Sequence, residues 1–107
     1  MSTTDARVVL VTAPDRDTAG RLARTLVEER LAACGNLVDG VTSVYRWEGE
    51  IHEDGEVLCV FKTTAERLAA FEARLVELHP YDVPECIALA ADHVSAPYLA
   101  WLRAETA

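Results

Sequence analysis

Six side chains of this protein are suited to hold a soft or borderline metal ion: His52, His79, His93, Cys34, Cys59 and Cys86. Metal sites that can be read from sequence place such donors at short fixed intervals, because one turn or one helix face must deliver two of them together. No Cys-x-x-Cys or His-x-x-x-His pair occurs here, so a site would have to be assembled by folding or between chains. His52 and His93 read as solvated loop histidines. A second constellation is polar and aromatic: Tyr45, Trp47, Lys62, His79, Tyr81, Glu85 and Trp101. If folding gathers several of these at a cleft between subunits, a lysine and a glutamate beside aromatic walls would bind a small polar ligand or an anion. The plainer reading pairs Lys62 with Glu85 as a structural ion pair and uses the aromatic rings for interface packing. Catalysis has little support. Gly-rich phosphate loops, Gly-x-Ser-x-Gly elbows and His-Glu-x-x-His helices are absent, and Ser43 and Ser95 have no local histidine partner. Glu48, Glu50, Glu53, Asp54 and Glu56 crowd one segment and read as a solvated turn able to associate only weakly with cations.

Those residues must be positioned by a recognisable series of elements. Val8–Val11 reads as a short buried strand, followed by a turn at Ala13-Pro14-Asp15, where Asp15 can cap a helix. From Arg16 to about Arg30, Ala19, Leu22, Ala23, Leu26 and Val27 follow helical spacing. Gly20 weakens that helix slightly and would permit close packing on a sheet. A second strand begins near Ala33-Cys34 and enters a long hairpin after Gly40. In its outbound strand Val41, Ser43, Tyr45 and Trp47 point one way and Thr42, Val44, Arg46 and Glu48 the other. The reversal falls at Glu48-Gly49 or at Asp54-Gly55, the second being the stronger turn signal. The return strand is apolar on both faces through Val57–Phe61, as expected with neighbours and layers on every side. Thr63 and Glu66 form a capping-box pattern opening a second helix to about Leu78, with Leu68, Phe71, Leu75 and Leu78 on one side. Pro80 stops it. Cys86–Ala91 reads as another buried strand, and Pro97 opens a short terminal helix.

Strand, helix, strand, strand, helix, strand is the split βαβ pattern, so the expected fold class is α+β: a ferredoxin-like βαββαβ sandwich with a long β-hairpin and a short C-terminal helix. With 107 residues the chain is expected to form one domain over 1–107, with residues 1–6 a flexible N-terminus. Half of its residues are apolar, which excludes a disordered chain. A formal charge of −8 argues against nucleic acid and anionic membrane surfaces as partners. The widely spaced cysteines suit reduced thiols in the cytoplasm better than a disulfide framework. Met1–Arg7 shows no apolar stretch after a basic start, so no signal peptide is expected, and no window approaches a membrane span.

The segments Thr12–Asp15, Glu29–Cys34, Thr42–Glu50, Phe61–Thr64, His79–Glu85 and Pro97–Leu102 resemble, in order and over nearly the whole chain, the CutA family of divalent-cation tolerance proteins. The resemblance implies a ferredoxin-like fold and a very stable homotrimer in which long strands continue sheets across subunits. It further implies a cytoplasmic setting for bacterial members, and divalent cations, copper first, as the ligand. A trimer also has a physical motive, since an edge carrying Val41, Val44, Tyr45 and Trp47 is an aggregation hazard until another subunit covers it. At the residue level the carry-over is thin. Bacterial members with a proposed copper site resemble one another in a cysteine before the Thr-Ala-Pro segment and two adjacent histidines before Pro-Tyr. Here Val11, Leu78 and His79 stand at those positions, so only His79 survives. Cys34, at the frequent cysteine of the Leu-Ala-Ala-Cys segment, is the next metal candidate, although a small apolar role in a strand also suits it. In architecture alone, the proposed cleft is similar to the intersubunit clefts of PII-type trimeric signalling proteins. The implied function is a non-enzymatic, copper-binding tolerance protein. The alternative is a PII-like module binding a small polar ligand through Tyr45, Trp47, Lys62, Tyr81, Glu85 and Trp101.

Overall fold

The computed structural model describes residues 3–107. Four strands and three helices follow in the expected order: β1 Ala6–Ala13, α1 Arg16–Glu28, β2 Cys34–Trp47, β3 Glu50–Thr64, α2 Leu68–Leu78, β4 Ile87–Ala90 and α3 Ala96–Glu105. They form one antiparallel sheet in the order β2-β3-β1-β4. The α+β reading is therefore correct. Asp15 caps α1 by accepting from the Thr18 amide at 2.8 Å. The helix ends at Glu28, two residues before the expected stop, because Arg30 turns left-handed (φ 61°) and the Leu31 amide donates back to the Leu26 carbonyl.

Strand alternation divides the sheet into two unlike faces. Val9, Val11, Ala13, Val57, Cys59 and Phe61 point to one side and are buried under α1 and α2. There Ala19, Leu22, Leu26, Phe71 and Leu75 complete the core, with the Phe61 and Phe71 rings edge-on at 5.1 Å. The other face carries Val8, Leu10, Leu58 and Val60, all half-buried, together with exposed Val38, Ile87 and Leu89. The central strand thus has neighbours at both edges but a layer on only one side. The expectation of cover on every side fails because α1 and α2 lie on the same face.

Register decides the hairpin. Gly35 sits opposite Phe61, and a β-carbon at residue 35 would come within 2.9 Å of Phe61 Cε1. Only glycine lets that ring lie against the strand, which fixes β2 against β3. The reversal then falls at Glu48-Gly49, both left-handed (φ 50° and 82°), closing a two-residue turn between Trp47 and Glu50. Asp54-Gly55, the stronger turn pattern, lies inside β3 because a reversal there would shift Gly35 away from Phe61. Close packing belongs to Gly35 rather than Gly20, where a β-carbon would meet nothing within 4 Å.

Three further expectations are corrected. The capping box at Thr63 and Glu66 does not form: Arg67 occupies the α2 N-cap without a side-chain bond, and the buried Thr63 hydroxyl donates to the Leu31 carbonyl at 2.6 Å. Cys86–Ala91 is not a buried strand, since β4 is an edge strand whose four residues are all exposed. Of the six N-terminal residues expected to be flexible, Thr4 to Ala6 are tied down. Thr4 donates two hydrogen bonds, from its amide and its hydroxyl, to the Ala91 carbonyl, Arg103 grips Asp5 at 2.7 Å, and Ala6 is buried in β1. Met1 and Ser2 lie outside the described residues.

Candidate functional site

A bulge aims the hairpin. Between the Val38–Leu58 and Val41–Glu56 pairs, Asp39 and Gly40 oppose the single residue Val57, with Gly40 left-handed at φ 79°. Arg16 Nη1 holds Asp39 Oδ2 at 2.8 Å. The extra residue exchanges the two faces of everything beyond it, so Val41, Ser43, Tyr45 and Trp47 join the uncovered face of the sheet. Their cross-strand neighbours on that face are Glu56, Asp54, His52 and Glu50. Tyr45 stacks on His52 with ring centroids 5.4 Å apart, and its hydroxyl donates to Asp54.

The loop after α2 supplies the opposite wall. His79 caps the helix, donating its amide to the Leu75 carbonyl, and its ring is buried. The Tyr81 amide donates to His79 Nδ1 at 3.1 Å, so the ring proton sits on Nε2, which donates to the Thr12 carbonyl at 2.8 Å. The imidazole therefore acts as a brace fixing the 80–85 loop to the end of β1. Held in this way, the Tyr81 hydroxyl donates to Glu56 Oε2 at 2.8 Å.

Between arm and loop lies a cleft of about 680 Å³ lined by Tyr45, Trp47, Glu56, Tyr81, Asp82 and Glu85, among others. Its electrostatics are acidic. Burial, reinforced by the charge of Glu56, raises the Glu85 carboxyl above its ordinary value. Burial and then the bond to Glu56 push the Tyr81 phenol up strongly, while the bond to Asp54 raises Tyr45. No lysine, arginine or histidine stands among the described residues that line it.

Within one chain the structure gathers four of the six candidate cleft residues, Tyr45, Trp47, Tyr81 and Glu85, and places two elsewhere. Lys62 lies six residues along β3 from Glu56, about 20 Å at the rise of a strand, and donates to Asn36 instead. The Lys62–Glu85 ion pair does not form. Trp101 lies on α3 beside Tyr98 and lines a separate hollow of about 380 Å³ with Val27, Arg30 and Glu105. Sequence reasoning missed Glu56 and Asp82 as lining residues. The available signal was the Asp39-Gly40 pair, whose bulge sets the face that Glu56 shares.

The metal candidates are not brought together within one chain. Thr12, which accepts from His79, pairs with Leu58, whereas Cys34 pairs with Lys62, a separation of about 13 Å along β3. Both His79 ring nitrogens are already engaged, and Cys34 Sγ faces Asn36 Oδ1 at 3.5 Å. Cys59 is buried, with its thiol pushed up to about 11 by desolvation. No group of three His, Cys, Asp or Glu side chains suited to a metal ion occurs among the described residues. A closed copper centre therefore does not fit the donor set of a single chain.

Comparison with known proteins accords with this architecture. Residues 7–105 match the family model described as CutA1 divalent ion tolerance protein. The chain is 50% identical over 99 residues to the divalent-cation tolerance protein CutA of Thermus thermophilus, covering 92% of this chain and 96% of that one. It is 45% identical over 96 residues to the human protein CutA, covering 90% of this chain but only 54% of the human one, about half its length. A crystal structure of CutA from Xylella fastidiosa superposes with a TM-score of 0.95 at 38% identity, covering 97% of this chain and all of that one. Among the described residues no helix is long and apolar enough to cross a membrane.

Proposed function

This chain belongs to the CutA1 divalent ion tolerance family, and on that basis we propose that it serves divalent-cation tolerance as a homotrimer, by sequestration or sensing rather than catalysis. The observation that carries the assembly is the uncovered sheet face. Val38, Ile87 and Leu89 are exposed beside half-buried Val8, Leu10, Leu58 and Val60, and an arm with exposed Val44 and Ile51 extends from the same sheet. An apolar surface of that kind on a small domain calls for another chain. Copper is the cation of first choice, because thiol and imidazole are its preferred donors, and a cytoplasmic setting suits three free cysteines. Since one chain does not collect a donor set, cation capture in this reading belongs to the assembly. Cys34, half-exposed, is its accessible soft donor, and His79 the second candidate, at the cost of one of its braces. Calorimetric titration of the assembled protein with copper tests this. Saturable uptake that Cys34→Ser or His79→Ala weakens is expected, and non-saturating uptake indifferent to both contradicts it.

A second reading is favoured by the cleft itself: a trimeric module, PII-like in architecture, that binds a small polar ligand between the arm and the 80–85 loop. Its volume lies in the range of small-molecule sites, and aromatic walls with a few convergent polar groups are their usual lining. A ligand selective for the folded state must raise its melting temperature. Under this reading a metabolite raises it and saturating copper does not.

A further inference from the structure

We propose that the cleft between the hairpin arm and the 80–85 loop is a binding site for a small organic ammonium, a primary or quaternary amine of metabolite size. This deepens the small-ligand reading above and rests on it, but reverses the ligand charge that a cleft containing Lys62 would favour. Three observations carry it. First, the ionisable lining is of one sign: Glu56, Asp82 and Glu85 line the space, and the described lining residues include no cationic side chain. Asp54 stands beside them, bonded to the Tyr45 hydroxyl. Second, the same space is walled by Tyr45, Trp47 and Tyr81. Aromatic faces attract a desolvated ammonium through their quadrupoles, and trimethylammonium groups most characteristically. Third, the carboxylates are spoken for in a way that disfavours a bare metal ion. Tyr45 and Tyr81 donate to Asp54 and Glu56, so each of those acids has an oxygen already occupied. Among the described residues no three ligating side chains converge.

An ammonium asks for less than a metal does: ring faces and one or two acceptor oxygens rather than a full coordination shell. It would also give a partner to the Glu85 carboxylate, which burial first, and then the charge of Glu56, disfavour. An anion would add charge to a cleft whose ionisable lining, within one chain, is wholly acidic. Volume agrees, since about 680 Å³ exceeds what a single ion fills and matches a small organic molecule.

Choline, its uncharged isostere 3,3-dimethyl-1-butanol, butylamine and citrate are the probes, titrated calorimetrically into the intact protein as it assembles in solution. Saturable binding of choline or butylamine is expected, at least tenfold tighter than the neutral isostere, with no binding of citrate. Glu85→Gln and Trp47→Leu should each weaken it at least tenfold. Asp17→Asn, which removes the same charge from the exposed start of α1, should leave it unchanged. Sedimentation of each variant separates a damaged cleft from a damaged assembly: a variant that assembles normally yet binds less supports the proposal. Equal affinity for choline and its isostere, or indifference to both cleft variants, overturns the ammonium assignment while the small-ligand reading stands. Absence of saturable binding by any probe overturns the ammonium assignment, and if no metabolite raises the melting temperature the small-ligand reading falls with it.

Discussion

The two faces of this sheet are built from the same strands yet have opposite fates. Along β3, Val57, Cys59 and Phe61 are buried beneath α1 and α2, while Leu58 and Val60, their immediate neighbours, remain half-exposed on the other side. One face is completed within the chain, where Phe61 meets Phe71 edge-on and Gly35 from below. The other face is left apolar and uncovered, and the arm that the Asp39-Gly40 bulge adds to it carries aromatic rings among acidic side chains. The contrast separates two kinds of stability. The helix-covered face makes a single chain fold, whereas the bare face gives it a reason to find copies of itself.

The largest expected effect lies on the covered face. Phe61→Ala should cost about 3–5 kcal/mol, because a fully buried ring leaves a cavity between two helices and a strand; denaturant unfolding measures it. Gly35→Ala attacks the same contact from the opposite direction. Its new methyl would stand 2.9 Å from Phe61 Cε1, and overpacking of that kind costs about 1–3 kcal/mol. His79→Ala, at the junction of core and cleft, strands the Thr12 carbonyl and the Tyr81 amide, a loss of about 1–3 kcal/mol. Amide exchange at Tyr81 should rise most in that variant. On the bare face the expectation inverts. Leu89→Asp touches a residue 50% exposed in the single chain, so circular dichroism should show an unchanged fold while sedimentation shows fewer chains per particle.

The smallest effect comes from the cleft and depends on pH. Glu85 has its carboxyl raised above the ordinary 4.5 by burial and by Glu56. The folded chain therefore holds that proton more tightly than the unfolded one, and stability from this group is present at low pH and lost as pH rises through the folded value. Glu85→Gln should accordingly melt slightly higher than the parent at pH 7, with the advantage vanishing near pH 4. A variant that is less stable at pH 7 would show that Glu85 makes a favourable contact instead of a repulsive one.

Element order and type could be read directly, because each rested on a local signal: Asp15 before the Leu22 and Leu26 stripe, Pro80 after Leu78, and alternation from Val41 to Trp47. What could not be read depended on contacts between distant residues. Thr63 forsakes its capping role because the Leu31 carbonyl comes within 2.6 Å once the sheet has formed. The stronger turn pattern at Asp54-Gly55 yields to Glu48-Gly49 because register is set by Gly35 under Phe61, far from either turn. The cleft was half visible. Residue type alone groups Tyr45, Trp47, Tyr81 and Glu85 with Lys62, and only the register shows that Lys62 stands far along β3 from the others within one chain. Glu56 reads in sequence as part of a solvated turn, and only the bulge at Asp39-Gly40 sets it on the face of Tyr45 and Trp47. His79 offers a metal donor by residue type, and its part as a brace is visible only when both ring nitrogens can be seen to be engaged.

The account depends most on the bare sheet face belonging to an assembly. Sedimentation equilibrium at micromolar concentration, in reducing buffer, tests that directly. The prediction is a particle of three chains, each of 11.7 kDa, that Leu89→Asp breaks apart; a parent protein that sediments as a single chain would contradict it.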